Sequence, residues 1–245
     1  EEAKVALQDL KSVYIELNDI NSFAAYANSL GGNVRFEVSE QDSLTYLAAE
    51  KLFMRGDNEG ARRSLTNYLQ TFPQGAFSSN ANFYLASIAF AKKDLEEAKR
   101  LFSLVLESGD TKFREESWAR KAEIEYLDKD YAAAMESFKH LQAVAENPEN
   151  KEAAKLGLMR CAELTGQPQE ALLAANDLLK EPKLSPEIMS EARYVRAKAY
   201  ISLKQENKAL ADLKEITKGS WSEDDLASAE RRYERTAAVM KRLGS

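Results

Sequence analysis

The sequence predicts an all-α solenoid, a stack of tandem helix-turn-helix units, on three observations. An alanine returns at intervals of 37, 36, 37 and 38 residues, at Ala61, Ala98, Ala134, Ala171 and Ala209, and self-similarity at such a period marks a repeat array. A polar turn stands just ahead of each alanine: Arg55-Gly56-Asp57-Asn58, Lys92-Lys93-Asp94, Asp128-Lys129-Asp130, Thr165-Gly166-Gln167-Pro168 and Lys204-Gln205-Glu206-Asn207. Apolar residues recur at three- and four-residue spacing on both sides of these turns, as helices require. Pro73, Pro148, Pro182 and Pro186 fall between units and Pro168 in a turn, so none sits in a helix interior, where each would cost about 3 kcal/mol.

Taken in order, residues 1–30 form a degenerate helical hairpin, with Val5, Leu7, Leu10, Val13, Tyr14 and Leu17 before Asn18-Asp19 and Phe23, Tyr26 and Leu30 after it. Residues 31–41 are a linker. Gly31-Gly32-Asn33 stops the helix, Val34, Phe36 and Val38 alternate with polar residues as an extended segment does, and Ser39 with Asp42 is expected to cap the next helix. Residues 42–218 hold five units, at about 42–78, 79–114, 115–151, 152–189 and 190–218. In 219–245, Ser222 and the acidic Glu223, Asp224 and Asp225 open a helix whose stripe of Leu226, Ala229, Tyr233, Ala237 and Met240 is expected to cap the array.

Within each unit the periodic alanine lies in the first turns of the second helix, where a close crossing excludes larger side chains. Twelve residues earlier stands a second small position: Ala49, Ala86, Ala122, Met159 and Ala197. One turn after the alanine, Leu65, Phe102, Phe138, Ala175 and Leu213 are placed to fill the space between units.

Hydrophobic residues at 44% and charged residues at 30% describe a folded chain rather than a disordered one. No stretch approaches the roughly 18–20 apolar residues of a membrane span. A net charge of −6 without a sustained basic stripe argues against nucleic acid as the main partner. Beginning Glu1-Glu2-Ala3 without a methionine or signal peptide is the expectation for a mature or excised chain.

The small-residue and turn pattern resembles the tetratricopeptide repeat, a helix-turn-helix unit of 34 residues, over about residues 42–218. The stretch Phe72-Pro73-Gln74-Gly75-Ala76-Phe77 through Ala86, followed by Lys93-Asp94-Leu95-Glu96-Glu97-Ala98-Lys99-Arg100-Leu101-Phe102, is similar to repeats of Gram-negative envelope proteins. These are the lipoprotein of the outer-membrane barrel-insertion machinery and the cell-division coordinator of the Tol-Pal system. That resemblance implies a right-handed superhelix, a periplasmic or outer-membrane-associated location (a cytoplasmic one is the alternative) and an envelope complex. The lipid-attachment cysteine of the barrel-insertion lipoprotein has no counterpart in this sequence. Lys121 and Arg196 replace apolar residues, and Met159 replaces a small one, so repeats three to five are expected to pack less regularly.

The resemblance also implies that first helices line a concave groove where partner peptides lie. Its register puts Tyr46, Glu50, Phe53, Asn80, Phe83, Tyr84, Ser87, Phe90, Arg120, Glu123, Tyr126, Arg160, Tyr194 and Lys198 on or near that face, and aromatic and arginine anchors are the usual interface hot spots. Phe53, Phe83 and Phe90 equally fit mutual packing of first helices. The family's carboxylate clamp needs cations or amides, but Tyr46, Glu50, Tyr84, Glu116 and Arg120 supply two acids, which argues against a chaperone-tail receptor.

Catalytic signals are absent from the sequence. His140 is the only histidine, so a histidine triad or multi-histidine metal site is excluded by count. Cys161 reads as packing, Glu96/Glu97 and Asp224/Asp225 as solvated surface, and Gly31-Gly32 lacks phosphate-loop spacing. Arg231, Arg232, Arg235, Lys241 and Arg242 interleave with Glu230 and Glu234 as a salt-bridged face. The expectation is a non-enzymatic scaffold with no cofactor, binding a protein or peptide of unknown identity. The competing expectation is a structural spacer or oligomerisation module of a larger protein.

Overall fold

The computed structural model describes residues 2–31, 36–109 and 111–218. Among them are helices α1 (Glu2–Glu16), α2 (Ile20–Ser29), α3 (Val38–Met54), α4 (Asn58–Thr71), α5 (Ser78–Ala91), α6 (Leu95–Glu107), α7 (Arg114–Leu127), α8 (Tyr131–Val144), α9 (Pro148–Leu164), α10 (Pro168–Leu178), α11 (Pro186–Ser202) and α12 (Glu206–Thr217), and no strand. The helix expected at 219–245, the basic cluster within it and the alternating Val34 lie outside the described residues. Contacts divide the chain into two compact units, Glu1–Ser117 and Trp118–Ser245.

One turn closes every hairpin. Asn18, Gly56, Lys93, Lys129, Gly166 and Lys204 all take positive φ, between 55° and 81°, the left-handed position that ends a helix. The next N–H reaches back five residues, from Asp19, Asp57, Asp94, Asp130, Gln167 and Gln205 to Tyr14, Leu52, Ala89, Glu125, Ala162 and Tyr200. The same residue then opens the following helix. The Asp19, Asp57, Asp94 and Asp130 carboxylates accept from Ser22, Gly60, Glu97 and Ala133 N–H, which satisfies donors the helix cannot. Glycine takes the left-handed position freely at Gly56 and Gly166. The three lysines hold it at a cost of roughly 1 kcal/mol each, so the turn geometry is imposed by helix packing. Pro148, Pro168 and Pro186 each open a helix, where a missing N–H costs nothing.

The alanine register is a packing register. Ala61, Ala98, Ala134, Ala171 and Ala209 are buried to 2% exposure or less, as are Ala49, Ala86, Ala122, Met159 and Ala197. Leu65, Phe102, Phe138, Ala175 and Leu213 are buried behind them. Phe138 lies against Gly157, where an added Cβ would meet its ring at 2.4 Å, so the glycine gives the ring its room. Ala98→Leu and Ala134→Leu are each expected to destabilise by about 1–3 kcal/mol through overpacking. Thermal melting reads the loss, and unchanged melting in both variants would break the register.

Two expectations are corrected. Helix α3 begins at Val38, inside the segment expected to be linker, and its N-cap Glu37 makes no side-chain cap. Ser39 is helical, its carbonyl accepting from the Ser43 hydroxyl, and Asp42 is buried rather than capping. The Asp42 carboxylate accepts from the Tyr68 hydroxyl at 2.5 Å and from Ala76 N–H at 2.8 Å, while Phe77 N–H donates to the Tyr68 oxygen at 3.0 Å. Asp42 therefore ties the start of α3 to α4 and to the loop that leaves it.

The polar replacements are compensated in place. Lys121 donates to the buried Glu125 and to Ser137 of α8, and Ser137 donates to the other Glu125 oxygen. Arg196 holds the buried Asp212 of α12 through two bonds, at 2.8 and 2.6 Å, and donates a third to Asn176 at 2.9 Å.

At the start of the chain, Lys51 of α3 and Arg55, the residue that ends it, grip Glu16 of α1 at 2.5 and 2.7 Å. Their hydrogen bonds lower its carboxyl from the ordinary 4.5 to about 2. A depressed carboxyl stabilises above its unfolded pKa and loses that contribution as pH falls through its folded one. Docking of α1 on α3 is therefore expected to weaken between about pH 4.5 and pH 2. Amide exchange in α1 measures this, and Glu16→Gln should flatten the dependence in that window.

Candidate protein-interaction face

Within each unit successive first helices touch, α1 with α3, α3 with α5, and α9 with α11. Second helices stand further apart over clefts of about 510 Å3 (lined from α4, α5 and α6) and about 370 Å3 (lined from α8, α9 and α10). The first helices thus form the tighter, inner side of each unit.

On that side of the first unit, four of the expected residues meet. The Tyr46 hydroxyl donates to Glu50 Oε1 at 2.6 Å and the Tyr84 hydroxyl donates to the same oxygen at 3.0 Å, while Asn80 Nδ2 donates to the Tyr46 oxygen at 3.2 Å. Burial, and then the Glu50 carboxylate, pushes both tyrosines above their ordinary range, so they remain hydroxyl donors at neutral pH. Ser87 is outside this network, its hydroxyl donating to the Phe83 carbonyl one turn back. Phe53 packs on Tyr84 at 4.6 Å and Phe83 stacks on Phe113 at 4.1 Å. Phe53, Phe83 and Phe90 are half-buried.

The second unit treats its inner face differently. Arg160 takes Glu191 in two bonds at 2.6 and 2.7 Å, which raises the guanidinium pKa. Arg120 pairs with Glu123 at 3.0 Å. Lys198 pairs with Glu163 and lies 5.7 Å over the Tyr194 ring. Tyr126, half-buried, packs at 5.4 Å on Tyr131, and burial raises its hydroxyl pKa. Each expected cation here already has an acid of its own.

Missing from the sequence reading are Leu47, Met54, Leu127 and Leu164, which expose 42, 64, 57 and 50% of their surface on first helices. The last three occupy one register position, the final residue of the first helix. That recurrence was the available signal.

His140 is exposed and stacks on Trp118 at 4.3 Å. Cys161 is fully buried, and burial pushes its thiol up to about 11, so it stays protonated and unreactive. Among the described residues no group of histidine, cysteine and carboxylates is arranged to hold a metal, and no helix is long and apolar enough to cross a membrane.

Solved structures with this arrangement share little sequence with it. YrrB, a TPR protein with an unusual peptide-binding site, is 16% identical, with a TM-score of 0.58 over 77% of this chain and 91% of its own. MamA is 15% identical, with a TM-score of 0.52 over 76% of this chain and 94% of its own. MamA of Desulfovibrio magneticus RS-1 is 15% identical, with a TM-score of 0.50 over 72% of this chain and 93% of its own. The fold is that of tetratricopeptide repeats. No protein-family model matches the sequence, and no curated protein matches it either. Hairpins of this kind are specified by a few small residues and a turn, so tetratricopeptide folds coincide while the remaining positions diverge.

Proposed function

We propose that this chain is a non-enzymatic scaffold that binds a peptide or protein segment on the inner faces of its first helices. The observation that carries the reading is the first unit's inner face, where Tyr46, Glu50, Asn80 and Tyr84 form one hydrogen-bonded group beside the exposed Leu47 and Met54. Tyr46 and Tyr84 are themselves buried, at 2 and 6% exposure, so they fix the half-buried Glu50 in place, and the surface left for a partner segment is that carboxylate with the accessible Leu47 and Met54. Peptide binding by YrrB, of like fold, supports it. The division into an N-terminal hairpin, five repeats and a terminal cap belongs to the same reading. So does a place in a bacterial envelope complex on the periplasmic side, for which the support is the resemblance of residues 72–102 to envelope proteins.

A photo-crosslinking amino acid tests the binding face. Placed at Ser87 or Lys198 on first helices, it should capture a discrete protein partner in native extract, whereas at Thr66 or Leu173 on second helices it should not. Capture only from second helices would overturn the choice of face, and capture from none would favour the spacer. Cell fractionation tests the compartment.

A further inference from the structure

The inner face of the first unit carries a carboxylate that its own neighbours hold but do not neutralise. Glu50 Oε1 accepts from the Tyr46 and Tyr84 hydroxyls, and among the described residues no cation pairs with it. The nearest lysine in sequence, Lys51, is drawn away to Glu16. Among the described residues of the second unit, the first-helix carboxylates Glu163 and Glu191 are instead paired with Lys198 and Arg160. Glu50 also lies in a stripe. Leu47 is one turn before it and Met54 one turn after, on the same helix face, and both are well exposed, at 42 and 64%. Phe53, one turn past Glu50 and half-buried, packs on the ring of Tyr84, whose hydroxyl holds the carboxylate.

We propose that this stripe binds a partner segment bearing an arginine or lysine flanked by apolar residues, the cation seating on Glu50 and the flanking side chains on Leu47 and Met54. Charge complementarity selects the occupant. A half-buried carboxylate fixed by two hydroxyl donors is oriented before binding, so a cation meets it without reorganising the site. Its neighbour Phe53 adds attraction for the same charge. An acidic segment would meet an unneutralised like charge, and a purely apolar one would bury that charge without a partner.

This rests on the scaffold reading, and the test separates the two. Random dodecapeptides displayed on phage are panned against the immobilised full chain, and the enriched sequences are synthesised with a fluorescent label for polarisation titrations. Enriched peptides should carry a basic residue next to an apolar one, and replacing that residue by glutamine should weaken binding about tenfold or more. Glu50→Gln, which keeps an acceptor for both tyrosines, should weaken it equally with melting unchanged. Met54→Lys, at an exposed position that folding does not use, should weaken it too by repulsion. Enriched peptides without a basic residue that still crosslink to first helices would overturn this inference and leave the scaffold standing, as would binding indifferent to both variants. Failure to enrich any peptide, together with no first-helix crosslink, would overturn both.

Discussion

Asp212→Ala is expected to destabilise the last described hairpin by about 3 kcal/mol, and Arg196→Leu combined with Asp212→Leu to restore it to within about 1 kcal/mol. The single change strands a guanidinium whose side chain is only 23% exposed, against 7% for Asp212, leaving it Asn176 alone. Breaking a buried pair from one side costs about 3–5 kcal/mol, and the partial exposure of Arg196 puts the expectation at the lower end. Replacing both partners removes the uncompensated charge. The protein already runs that alternative, because the equivalent positions of the second repeat are Leu85 and Leu101, buried at 9 and 5%. Those of the fourth are Leu158 and Ala174. Repeat arrays melt by neighbouring units rather than all at once, so amide exchange in α11 and α12 is the measurement. A single variant that exchanges like the parent, or a double variant no better than the single, would show that the pair contributes nothing specific.

That pair also marks the limit of what the sequence disclosed. The close helix crossing was legible because it demands one property, smallness, at one spacing, and Ala61, Ala98, Ala134, Ala171 and Ala209 carry it without reference to any other residue. Lys121 and Arg196 were legible only as departures, since their compensation depends on Ser137 and Asp212, three residues past the alanine of the following helix, together with Glu125. The inner face was legible as a set of positions and not as a circuit. Tyr46, Glu50, Asn80 and Tyr84 could be assigned to it, but the sharing of one carboxylate oxygen by two hydroxyls depends on how closely α3 and α5 approach. The exposed Leu47 and Met54 escaped because apolar residues on a helix read as core until a structure shows the unoccupied side. Asp42 misled for a local reason: a serine followed three residues later by an acid imitates a helix start, while its actual partners, Tyr68 and Ala76, lie 26 and 34 residues away.

Asp42→Ala is expected to cost about 2–4 kcal/mol and to reach the binding face. A hydrogen bond to a charged group contributes about 1.5–3 kcal/mol, and the carboxylate takes two, from Tyr68 and from Ala76 N–H. Without it the buried Tyr68 hydroxyl keeps Phe77 N–H as donor but loses its own acceptor. The loop cannot close the gap by sliding inward, since Gly75 is already so near that a Cβ there would lie 2.4 Å from the Tyr68 oxygen. Phe77, at the end of that loop, stacks face to face on the Tyr46 ring at 4.5 Å, and Tyr46 is the hydroxyl that holds Glu50. Loosening the loop should therefore lower both the melting temperature and the affinity for any segment that uses Glu50. Asp42→Asn keeps one acceptor oxygen but turns an amide donor toward either Tyr68 or Ala76 N–H, so it should recover only part of the loss. Tyr68→Phe removes one of the same bonds, and the double variant should cost clearly less than the sum of the singles. Additive costs, or an Asp42→Ala protein that melts and binds like the parent, would dissociate this buried carboxylate from the inner face.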